Sequence, residues 1–212
     1  MKNLTILLDA GHGGMFKGRY QTHNKKYYNF SEKGVTAYEG AINRALVAFL
    51  EMYLKDAGFD VAKISHEYRD TPLSERVALA NAFHAVTPCM VCSIHNNAAS
   101  PSLTGKGSTA NGTEVFTSPG QTKSDLFASD GIAKIESLPI KRRIRKDLTD
   151  GDPDKEAEFY MLTQTDCPAV LWEMAFFDNW EEYNFITDPS HQRMLMKAIA
   201  DGIVDTYNKN YV

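Results

Sequence analysis

No stretch of the 212-residue chain approaches the roughly 20 consecutive apolar residues that span a bilayer, so the sequence offers no transmembrane helix. The N-terminus is also short of apolar length: one lysine precedes only Leu4-Thr5-Ile6-Leu7-Leu8 before Asp9, too little for a secretory signal. The chain is therefore expected to be made in the cytoplasm without a signal peptide. Excess positive charge is missing too. Lys+Arg number 23 against 27 Asp+Glu, a formal net charge of −4, which removes the electrostatic footprint of a general nucleic-acid binder. Cysteine is scarce, and the odd set Cys89, Cys92 and Cys167 suits a reducing compartment. Neither a G-x-S-x-G elbow nor a G-x-x-x-x-G-K-[ST] phosphate loop occurs.

Two local patterns need weighing against those absences. Cys89-Met90-Val91-Cys92 is formally a C-x-x-C, but it lies in a run, Cys89 to Ile94, that reads as a buried strand. Residues three apart on a strand point to opposite faces, so these thiols are expected to be structural. The longest basic run, Lys141 to Lys146, is followed at once by Asp147, Asp150, Asp152 and Asp154. Its field is partly cancelled within a Debye length of about 8 Å. A solvated structural role and a contact with an anionic substrate or surface both remain open.

A chain of this length buries roughly 70% of its unfolded surface and needs no disulfide or structural metal to fold. A single domain over residues 1–212 is the expectation. Strand and helix signals alternate, which predicts an α/β domain with a largely parallel sheet. Strands are expected at Leu4–Leu8, Phe59–Ile64, Cys89–Ile94, Gly112–Thr117 and Ala169–Trp172. Helices are expected at Glu39–Ala57, Ser124–Leu138 and Ser190–Tyr207. Another is expected to be capped by Thr71 with Pro72 at its first position, placing Leu73, Val77, Ala80 and His84 on its packed face. The stretches Met15–Tyr38 and Leu138–Glu158 read as long irregular loops, the first rich in aromatic and basic residues.

The chemistry-bearing residues fall at strand ends. Asp9-Ala10-Gly11-His12-Gly13-Gly14 follows the first strand, His95-Asn96-Asn97 ends the third, and Glu39 opens the first long helix. In Pro168-Ala169-Val170-Leu171-Trp172-Glu173, apolar residues run straight into a carboxylate, which is costly to bury unless paired or bound to metal. The carboxyl edge of an open α/β sheet is where ligands bind. Two histidines and a carboxylate on Zn²⁺, with a second carboxylate nearby, form a recurrent hydrolytic site. Plainer readings stand beside it: His12 as a turn residue or part of a phosphate-cradling loop, His95 as a strand-end histidine, Glu39 as a carboxylate favoured by the helix dipole. His84 reads as a core residue, and His23, His66 and His191 as surface or cap residues.

These segments carry a family resemblance. Leu7 to Gly14, Tyr38-Glu39-Gly40 with Asn43, Leu73 to Arg76 with Ala80-Asn81, Ser93 to Ala98, Gly112 to Phe116, and Pro168 to Glu173 with Phe176 to Asn179 stand in one order over nearly the whole chain. In that order they resemble the zinc-dependent N-acetylmuramoyl-L-alanine amidases of the Amidase_3 type, peptidoglycan hydrolases of bacterial walls and phage endolysins. Gly18 to Thr22 and Lys25-Lys26 look most like the phage and gut-bacterial branch.

The resemblance implies that His12, Glu39 and His95 bind Zn²⁺ and that Glu173 is the catalytic carboxylate. It implies a three-layer α/β/α fold, phosphorylase/hydrolase-like, with a twisted, mostly parallel sheet. The expected activity is cleavage of the amide between N-acetylmuramic acid and L-alanine, by a monomer acting on peptidoglycan in the cell wall after release or export. No nucleic-acid or membrane partner is expected. Asn97, Arg19 and Tyr20 are the expected substrate contacts, with support of His95 or a loop hydrogen bond as the other readings of Asn97, and Asp9 as a turn or supporting residue. The competing readings are a zinc peptidase cutting within the stem peptide and a non-catalytic wall-binding module.

Overall fold

The computed structural model describes residues 2–22 and 26–212, so His23 and Lys25 lie outside the described residues. The elements in chain order are β1 (Thr5–Ala10), β2 (Met15–Phe16), β3 (Arg19–Tyr20), β4 (Tyr27–Phe30), β5 (Val35–Tyr38), α1 (Glu39–Asp56), β6 (Asp60–Lys63), α2 (Leu73–His84), β7 (Cys89–Asn97) and β8 (Glu114–Thr117). There follow α3 (Lys123–Glu136), β9 (Lys155–Glu156), α4 (Tyr160–Thr163), β10 (Ala169–Phe176), α5 (Trp180–Thr187) and α6 (Pro189–Asn210). The main sheet has the order β6-β1-β7-β10-β8-β9. Its first four strands run parallel, β8 is antiparallel to β10, and β9 is parallel to β8. The expected mostly parallel sheet is therefore present.

Two separate apolar layers make the fold three-layered. Alternate residues of the central strands, such as Ile6, Leu8, Cys92, Ile94, Val170 and Trp172, pack with α1, α3 and α6. Their neighbours Leu7, Cys89, Val91, Ala169 and Leu171 face α2 and α4 on the other side. Cys89 and Cys92 thus point to opposite faces, as the period of two requires. Helix α1 buries Ile42, Leu46, Leu50 and Leu54 along one stripe, and Gly58, at φ 85°, turns the chain out of it.

Three expectations need correction. Thr71 does not cap α2; its hydroxyl accepts from the His66 amide at 2.9 Å, and the helix opens at Leu73 without a side-chain cap. The packed face of α2 is narrower than expected: Val77 and Ala80 are buried and Arg76 joins them, while Leu73 and His84 are exposed. Arg76 is held inward by a buried ion pair with Asp9. Third, the stretch Met15–Tyr38 is not simply irregular, since it folds into the hairpins β2–β3 and β4–β5. Tyr28 and Phe30 there are buried, with Phe30 packed edge-on against Trp180.

Candidate metal and catalytic centre

Because β1, β7 and β10 run parallel, their carboxyl ends share one edge of the sheet. The register sets Glu173 opposite His95 on one side and opposite Glu114 on the other. The Gly11 amide donates to the Ile94 carbonyl at 3.0 Å, bringing the loop after β1 alongside the same row. A Cβ on Gly11 would collide with the His95 imidazole, so glycine is what lets that ring lie over the loop. His12 follows in the left-handed region at φ 61°, an unusual conformation for a non-glycine residue. Its carbonyl is held by the Arg44 guanidinium at 2.7 Å, and the same group binds the carbonyls of Gly40 at 2.9 Å and His66 at 2.6 Å.

Helix α1 delivers Glu39 at its first residue. The close approach of Gly40 to the Gly13 carbonyl leaves no room for a Cβ, and the Tyr20 hydroxyl accepts from the Gly40 amide at 2.9 Å. The Glu39 carboxylate is buried between the two histidines. His95 Nδ1 lies 3.1 Å from its Oε1 and His12 Nε2 lies 3.2 Å from its Oε2. The His12 pair lacks hydrogen-bonding geometry, and among the described residues both of its atoms are buried without a hydrogen-bond partner, Lys26 Nζ standing 3.9 Å from Oε2. One donor atom each from His12, Glu39 and His95 lies within 4.8 Å of the others. Two imidazoles and a carboxylate converging in this way, with partnerless buried atoms among them, can hold a metal ion.

The electrostatics follow from burial and these neighbours. Burial alone would raise the Glu39 pKa, but the close approach and charge of His12 and His95 override it and hold Glu39 well below the usual carboxylate range. Burial likewise opposes charge on His95, yet Glu39 outweighs it and lifts the imidazole above its ordinary value. Glu173 goes the other way. It is partly exposed, but its Oε2 is buried without a hydrogen-bond partner among the described residues, and desolvation pushes its pKa up to about 8. Beyond the histidines opens a cleft of about 430 Å³ lined by His12, His95, Asp70, Thr71, Leu73 and Arg76.

His12, Glu39, His95 and Glu173 are therefore brought together. Tyr20 touches the site through Gly40, with its hydroxyl pKa pushed up to about 12 by burial, and packs on Tyr38. Asn97 ends β7 and donates to Glu114 at 2.8 Å. Arg19 lies exposed on the β2–β3 hairpin. Asp9 is fully buried, accepting from Arg76 and from Ser93, each at 2.7 Å.

Several residues that shape the site are not evident from the sequence reading. Arg44, Arg76 and Glu114 carry charge into buried or half-buried positions, and the available signal was a charged residue on an otherwise apolar face. Glu114 accepts from Arg145 at 2.6 Å and Lys155 at 2.7 Å, which outweigh burial and lower its pKa. The basic run is not simply solvated. Arg142 is buried against Glu182 at 2.6 Å, so part of the run holds the long loop onto α5.

Residues 6–205 match the family Amidase_3, N-acetylmuramoyl-L-alanine amidase. The chain belongs to that family. Among curated proteins it is similar to the probable cell wall amidase LytH of Staphylococcus saprophyticus, 28% identical over 203 residues, covering 96% of this chain and 58% of LytH. It is also 27% identical over 206 residues to YqiI of Bacillus subtilis, covering 97% of this chain and 85% of that protein. The chain thus spans little more than half the length of LytH. Its fold matches an N-acetylmuramoyl-L-alanine amidase from Clostridium difficile 630, with a TM-score of 0.77, 23% identity and full coverage of both chains. The catalytic domain of the amidase CwlV from Bacillus (Paenibacillus) polymyxa is similar at a TM-score of 0.72 and 25% identity, covering 98% of this chain and 99% of that domain.

Proposed function

We propose that this amidase-family chain hydrolyses the amide joining the lactyl group of N-acetylmuramic acid to the L-alanine of the peptidoglycan stem peptide. The carrying observation is the convergence of His12, Glu39 and His95 within 4.8 Å, beside a buried, partnerless Glu173 oxygen. In this reading the three residues hold Zn²⁺. When bound, the ion supplies Lewis acidity that polarises the scissile carbonyl and lowers the pKa of water toward about 7.

The chain's own groups do the rest. Glu39 orients both imidazoles, and is itself fixed by the Asn96 amide at 3.3 Å and the Asn43 side chain at 3.5 Å. Glu173 Oε2 takes the proton of the attacking water and hands it to the alanine nitrogen as the C–N bond breaks. Arg19 keeps its proposed role in meeting substrate. Tyr20 and Asn97 act through position, the first on the start of α1 and the second on Glu114. Action as a monomer fits a site whose four residues all come from one chain, with residues 1–212 acting as one catalytic domain. The substrate puts the working location at the cell wall.

The test is metal content read beside activity on purified sacculi. His12→Ala should lose one equivalent of zinc together with activity, whereas Glu173→Ala should keep its zinc and stop releasing stem peptides. Wild-type release by Glu173→Ala would overturn the assignment.

A further inference from the structure

The other end of the sheet holds a second cluster of ligand-type side chains. Cys89 opens β7, and Cys167 lies just ahead of β10. The ladder that pairs Val91 with Ala169 sets these cysteines side by side two residues earlier. His84, the last residue of α2, brings Nδ1 to 3.8 Å from the Cys89 sulfur. One donor atom from each of the three lies within 4.8 Å of the others. Cys89 is 2% and Cys167 5% exposed, while His84 is open to solvent.

We propose that His84, Cys89 and Cys167 form a second metal site, for a thiophilic divalent cation of the Zn²⁺ class. Two sulfurs and an imidazole are the donor set such ions select over oxygen-seeking ones. Zn–S and Zn–N bonds of about 2.3 and 2.0 Å at a tetrahedral angle separate sulfur from nitrogen by about 3.5 Å. The observed 3.8 Å lies within a few tenths of that spacing. Exposed His84 gives the ion an entry route and leaves a fourth position for water. A Cys89–Cys167 disulfide would need the sulfurs about 2.0 Å apart and would leave the imidazole idle.

The site is independent of the proposed catalytic centre. Cys89 begins β7 and His95 lies near its end, a separation of about 20 Å at the rise of a strand. An ion here would tie the end of α2 to the starts of β7 and β10. It would displace one proton from each thiol, two per ion. Because the ion competes with those protons, uptake should strengthen as pH rises.

The experiment titrates the metal-free, reduced 212-residue chain with Co²⁺. The expected result is two equivalents bound, one of them giving thiolate-to-cobalt charge-transfer absorption in the near ultraviolet. That band should be lost in Cys167→Ser and weakened roughly 10-fold or more in affinity in His84→Ala, with amidase activity unchanged. His12→Ala should remove the other equivalent and leave the band. Should Cys167→Ser fail to fold, His84→Ala at its exposed position carries the test. A single equivalent without a thiolate band, a band indifferent to His84→Ala, or a Cys89–Cys167 disulfide in place of bound metal would overturn the proposal.

Discussion

His95 and Glu173 sit opposite each other in the parallel ladder between β7 and β10, so their side chains rise from one face of the sheet edge. One residue belongs to the metal-competent trio and the other carries the partnerless oxygen. Glu173→Gln keeps the shape of that side chain and removes its ability to carry the proton. We predict a fall in kcat of about 10²- to 10⁴-fold, with metal content and urea midpoint unchanged. Steady-state kinetics on a soluble muramyl peptide provide the check.

Gly11 is the close approach on which the His95 ring depends. Gly11→Ala should push that imidazole off the Glu39 carboxylate and weaken metal retention at this site about 10-fold or more, while circular dichroism stays native. Competition with a chelator of known affinity measures it. Unchanged retention would show that the loop shifts freely, contrary to its anchoring by Arg44.

Arg76 and Asp9 form a buried pair, 2% and 0% exposed in their side chains and 2.7 Å apart. Removing the guanidinium leaves Asp9 charged and uncompensated, so Arg76→Ala should cost about 3–5 kcal/mol in urea unfolding. Arg76→Met combined with Asp9→Asn should recover part of the loss. An additive double variant would mean that the two residues contribute separately.

Asp154 is buried beside Asp152, and desolvation pushes its pKa from 3.8 up to about 7, although the Thr117 hydroxyl donates to it at 2.6 Å. Between those values the folded protein holds a proton that the unfolded chain has released. This group's contribution to stability is therefore full below about pH 4, falls as pH rises, and is gone above about pH 7. Asp154→Asn should raise Tm relative to wild type more at pH 8 than at pH 5. Equal differences at the two pH values would contradict this.

The period of two in the central strands and the three- and four-residue spacing in α1 made the three-layer fold legible, because burial on both faces dictates those patterns. His95 and Glu173 could be placed at the sheet edge because each follows an apolar strand run, whereas Glu39 could be placed only as the first residue of a helix, and it was the family resemblance that joined it with His12 to the proposed set. Less was legible where long-range pairing decides the outcome. Arg76 is buried on α2 because it pairs with Asp9, which the apolar spacing of Leu73, Val77, Ala80 and His84 could not reveal. The hairpins within Met15–Tyr38 depend on packing against Trp180 and Tyr38, and Cys89 has its partner in Cys167 rather than in the nearby Cys92.

The central claim is that this edge of the sheet cleaves the bond between muramic acid and L-alanine. Mass spectrometry of a defined muramyl pentapeptide after incubation with the zinc-loaded protein tests it most directly. The account predicts a pentapeptide with a free L-alanine amine and a sugar that has lost all amino acids. Peptide fragments still attached to the sugar, or an intact substrate, would contradict it.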